Sequence, residues 1–109
     1  MTVKDKDYYD FLVDRIKECL SLSTSDDKLN TTANLISRYA ADLRDNVNAN
    51  GADEDTIKRY FNNFVNRALS SVEAIGMSET QYKAIRKLML SEIYGCCEVV
   101  VKDRRKEKK

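Results

Sequence analysis

Hydrophobic residues recur every three or four positions along most of this chain, the period of an α-helix with one face turned to a core. Tyr9, Leu12, Val13, Ile16, Cys19 and Leu20 make the first stripe, in a helix predicted from about Asp5 to Leu22 with Tyr8 and Phe11 on its flank. Leu29, Ala33, Ile36, Ala40, Leu43 and Val47 make the second, at the alternating spacing of a narrow coiled-coil-like seam. Leu35 and Tyr39 widen that seam enough to face two neighbours. The third stripe, Ile57, Phe61, Phe64, Val65, Ala68, Leu69, Val72 and Ile75, is the strongest, which places its helix at the heart of the core.

The fourth segment has a different pattern. Ile85, Leu88, Met89, Leu90, Ile93, Tyr94, Cys96, Cys97, Val99, Val100 and Val101 make it apolar on more than one face, so it needs cover on several sides. Neighbours in a bundle can supply that cover, and so can a second copy of the chain. The helix is expected to run from the Gly76 corner to the basic tail, and the β-branched Val99, Val100 and Val101, which favour extended structure locally, leave its last turns open to fraying or to a short strand.

Punctuation between the stripes agrees with four helices. Ser23 to Asp26, or Thr24 to Asp27, offers an N-cap to the second helix, and Asn46, Asn48, Asn50 and Gly51 form a loop. Asp53 is the expected N-cap of the third, with Glu54 and Asp55 at its positive end. Gly76 can take the left-handed conformation that closes a helix, Ser78 with Gln81 forms a capping box, and Met77 with Tyr82 can staple the corner. Proline is absent and glycine occurs only at Gly51, Gly76 and Gly95, a scarcity that favours a few long helices over a sheet rich in turns. At 109 residues there is room for one domain. The expectation is therefore an all-α, four-helix bundle-like single domain with short connections over residues 1–101, followed by a basic C-terminal tail over 102–109.

Composition narrows the chemistry. Histidine is absent, which removes the commonest general base and the commonest neutral metal ligand. Asp26 and Asp27, like Asp53, Glu54 and Asp55, stand at predicted helix starts, where capping accounts for them. Cys96 and Cys97 are adjacent and lack the spacer that lets a zinc knuckle close, and a third cysteine does not complete a disulfide framework. No catalytic residue, metal or cofactor is expected. No apolar run is long enough to span a bilayer and no signal-type apolar core follows Met1, so the expected place is the cytoplasm, with no membrane partner and with buried, reduced thiols. The six tyrosines are spread over the helices, most of them as rim residues, and are not gathered into a base-stacking platform.

Binding remains. Ser91 and Gly95 stand one turn apart on one face, where small side chains let another helix come close, within the subunit or across a dimer. Together with Met89, Ile93, Cys96 and Val100 they make the candidate interface for a homo-oligomer or a protein partner. The leading expectation is a non-enzymatic, self-associating helical protein that acts by macromolecular binding, of the accessory or inhibitor kind that phages and mobile elements carry.

The second expectation is a nucleic-acid-binding regulator. The corner from Gly76 to Ile85 echoes the turn of a helix-turn-helix, with Gln81, Lys83, Arg86 and Lys87 facing the groove or its phosphates. Val72 and Tyr82 are bulkier than that motif usually has, and the following helix is longer. Formal charge is +1 overall, but residues 102–109 hold six Lys and Arg against two acids, so only the tail is basic. Lys102, Arg104 and Arg105 there offer a further phosphate contact.

Overall fold

Each stripe forms the helix that its period predicts. The computed structural model describes residues 5–21, 26–49 and 53–107, in which the helices are α1 (Asp5–Ser21), α2 (Asp26–Ala49), α3 (Glu54–Glu73) and α4 (Glu79–Glu107). Asp53 caps α3, its carboxylate accepting the Thr56 backbone N–H at 2.8 Å. Beyond α3 the chain turns at Gly76, whose φ of 82° lies in the left-handed region that glycine reaches without a Cβ clash. Ser78 Oγ then accepts the Gln81 N–H at 3.3 Å to open α4, and Met77 and Tyr82 each pack half-buried against the core. The capping positions Ser23 and Thr24 of α2, and Asn50 and Gly51 of the second loop, lie outside the described residues.

The helices close into a ring. α1 lies against α2 and α4, α3 lies against the same two, and among the described residues the backbones of the diagonal pairs stay apart. Cross-contacts give the directions: Lys28 reaches Ile75 near one end of α2 and α3, and Asp42 reaches Arg67 further along. Tyr94 meets Asn62 midway along α3 and α4, which the short Gly76 corner joins at their other end. Neighbours therefore run antiparallel, as in an up-down-up-down four-helix bundle. Its extents are 47 × 25 × 21 Å.

Inside the ring the stripes meet. α3 contributes Ile57, Phe61, Phe64, Val65, Ala68 and Val72, and α4 contributes Ile85, Met89, Ile93, Cys97, Val100 and Val101. Tyr9 is buried with them, as its place in the first stripe predicts, while Tyr39, Tyr60 and Tyr82 sit half-buried at the edge. No helix among the described residues is long and apolar enough to cross a membrane.

The fourth helix reaches the basic tail, as expected, and its valines neither fray nor form a strand. The helix runs unbroken through Val99, Val100 and Val101 to Glu107, with no strand. Val100 and Val101 are buried, and packing of that kind outweighs the few tenths of a kcal/mol by which β-branched residues disfavour a helix. Residues 102–107 therefore continue α4 as helix. The pairings Arg15 with Glu92 and Asn62 with Tyr94 set a register in which Asp5 and Glu54 stand level with Lys102. From there α4 projects past the starts of α1 and α3 by a little over one turn.

Candidate interaction surfaces

With α1 on one side and α3 on the other, α4 turns a broad arc of its surface inward. Met89 and Ile93 are wholly buried there and Val100 nearly so, while Cys96 is half-buried. This corrects the expected interface: Met89, Ile93 and Val100 belong to the subunit's own core. Two flanking helices already account for most of the apolar load that exceeded one stripe.

What stays outside is a different set. Leu88 is 45% exposed, Tyr94 43% and Val99 39%, and Phe11 on α1 is 37% exposed. Ser91 and Gly95 are exposed as well, and a Cβ built on Gly95 would meet no atom within 4 Å. No helix of the same subunit approaches Gly95, which corrects the intramolecular half of the close-approach expectation. Ala84, Leu88, Ser91, Gly95, Val99 and Lys102 follow one another at helical spacing along this outward face, all exposed.

The two flanks of the face are tied down. On the α1 side, Arg15 donates to Glu92 at 3.1 Å and to Glu18 at 2.7 Å. The bond to Glu92, followed by the charges of Glu92 and Glu18, raises the guanidinium pKa above its usual value. On the α3 side, the Tyr94 hydroxyl donates to Asn62 Oδ1 at 3.2 Å, which draws its ring away from the outward face.

At the corner, Gln81, Lys83, Arg86 and Lys87 are exposed, and Lys83 pairs with Glu79 at 3.1 Å. α3 and α4 lie side by side and antiparallel here, a bundle hairpin and not the crossed helix pair of a helix-turn-helix. Lys102 is exposed at the projecting end of α4, and the side chains of Arg104 and Arg105 lie outside the described residues.

A seam between α2 and α3 was not anticipated. Tyr39, Asp42, Asn46, Tyr60, Asn63 and Arg67 line one recess of about 490 Å³. Towards the other end lies a more apolar one of about 500 Å³, bounded by Lys28, Thr32, Leu35, Ser71, Ala74 and Ile75. The signal was present in α2, where Lys28, Leu35, Tyr39, Asp42 and Asn46 share one flank at helical spacing; what they would face was not legible.

The thiols are shielded. Cys19 and Cys97 are buried, and burial, helped by the neighbouring Cys97, pushes the Cys96 thiol up to about 12. Burial raises Cys19 and Cys97 too. Protonated thiols are weak nucleophiles and weak ligands. Among the described residues no group of three Cys, Asp or Glu gathers as a metal site.

Comparison with protein families, curated proteins and solved structures gives no match. The functional reading rests on the residues of this chain.

Proposed function

We propose that this protein acts without catalysis, by binding another macromolecule in the cytoplasm, and that it self-associates through the outward face of α4. The observation that carries the reading is the exposure of Leu88 and Val99 beside Ser91 and Gly95 on a face that no helix of the subunit covers. Exposed apolar side chains grouped on one face favour association, because covering them removes apolar area from water. Phe11, on the α1 flank next to this face, adds to it.

Sedimentation velocity from low to high micromolar concentration tests the reading. The expected result is a concentration-dependent species heavier than the 12.5 kDa monomer, lost when Leu88 and Val99 are both replaced by serine. A monomer at every concentration would remove self-association.

A second reading, binding of nucleic-acid phosphates, is favoured by one feature only: the projecting end of α4, which carries Lys102 and continues through Arg104 and Arg105. Phosphate contacts release counterions, so such binding weakens steeply with salt. If mixed DNA and RNA are not retarded at low ionic strength, the reading fails; if binding is lost on deleting 102–109, it belongs to the helix end.

A further inference from the structure

The outward face of α4 is complementary to itself. Its midline is Ala84, Ser91, Gly95 and Lys102, small except at the end. One flank of that midline carries Leu88 and Val99, and the opposite flank carries Lys87 and Glu98, all four exposed. Each pair is spaced almost evenly about residue 93: Leu88 and Val99 lie about three turns apart with that point between them, and so do Lys87 and Glu98.

This arrangement matters when a second copy is laid against the first in the reverse direction. A two-fold axis through such a pair brings like flanks together and inverts the order along each helix. Leu88 then falls opposite Val99 of the other copy, Lys87 opposite Glu98, and Ser91 opposite Gly95. Each contact occurs twice. Neither Lys87 nor Glu98 forms an ion pair with any described residue of its own chain. The open space at Gly95 and the small side chain of Ser91 permit the two backbones to approach at the centre. In a parallel pairing the two-fold axis runs along the helices and brings opposite flanks together, so Lys87 and Glu98 would face Leu88 and Val99 of the other copy and neither charge would meet its opposite.

We infer that the partner covering this face is a second copy of the chain, docked antiparallel through α4 about a two-fold axis near Ser91 and Gly95, with two Lys87–Glu98 pairs across the interface. The inference rests on the self-association proposed above and specifies its geometry.

Charge reversal tests it, read by sedimentation at low ionic strength, where exposed charge pairs are least screened. Lys87→Glu and Glu98→Lys should each weaken the homodimer about tenfold, since every reversal sets like charges opposite each other twice. Mixing the two variants should restore association as a heterodimer, because one chain then offers two glutamates to the two lysines of the other. Gly95→Leu should abolish the dimer while the monomer keeps its helical circular dichroism, as Gly95 is exposed and a Cβ there meets no atom within 4 Å. A dimer that tolerates both reversals, or that the mixture fails to restore, overturns this geometry and leaves self-association standing. A wild-type chain that never dimerises overturns both.

Discussion

The guanidinium of Arg67 lies 4.2 Å above the ring of Tyr39, and the Tyr39 hydroxyl accepts a hydrogen bond from Ser71 Oγ at 3.3 Å. One tyrosine from α2 is thus held by two residues of α3, at the divide between the two recesses of that seam. A cation over an aromatic face at a partly exposed site contributes about 0.5–1 kcal/mol. Arg67→Ala, Tyr39→Leu and the double variant, compared by urea denaturation, should give a coupling energy in that range. A coupling near zero would mean that the stacked geometry adds nothing to the α2–α3 contact.

Gly95→Ala isolates helix propensity from packing. The added methyl meets open space, and alanine is better than glycine in a helix interior by about 0.8–1.0 kcal/mol. At concentrations where the chain is monomeric, thermal melts should rise by several degrees, about 4–8 °C per kcal/mol for a domain of this size. A fall in melting temperature would contradict the open space around Gly95.

Two neighbouring positions on α4 should part company. Ile93 is wholly buried, and Ile93→Ala should cost about 2–5 kcal/mol through lost burial and a residual cavity. Leu88 is exposed, and Leu88→Ala should leave monomer stability within about 0.5 kcal/mol while weakening self-association. Chemical denaturation of the monomer, paired with sedimentation, reads both effects.

The corner before α4 offers a backbone test. At φ of 82°, Gly76→Ala forces a Cβ into the left-handed region at a cost of about 1–2 kcal/mol, although no other atom lies within 4 Å of it. Ser78→Ala removes the oxygen that accepts the Gln81 N–H and should cost about 1 kcal/mol. Urea midpoints of the two variants give both values.

Alkaline stability should report on the buried thiol. The Cys96 pKa rises from an ordinary value near 9 to about 12 on folding. Below pH 9 both states hold the proton, and the contribution to stability is complete. Between about 9 and 12 the unfolded chain ionises while the native one does not, so stability falls as pH rises. Urea melts from pH 8 to pH 11 should show a steeper decline for the wild type than for Cys96→Ala; parallel declines would place the thiol in water.

Much of this bundle was legible in the residues. The stripes, the Asp53 and Ser78 caps and the left-handed Gly76 are products of helical period, local hydrogen bonding and the absence of a Cβ, all of which act within a few residues of chain. What only the tertiary structure decided is which side of each stripe remains outside. Met89, Ile93 and Val100 looked as available as Leu88 and Val99, because a period of 3.6 describes a helix and not the position of its neighbours. Once α1 and α3 take their places, the first three residues are core and the other two lie beside Gly95 in open space. The valines at the end of α4 make the same point: their local preference was for extended backbone, and burial of Val100 and Val101 overrode it. Burial depends on contacts between residues far apart in the chain, so it could not be read from either neighbourhood alone.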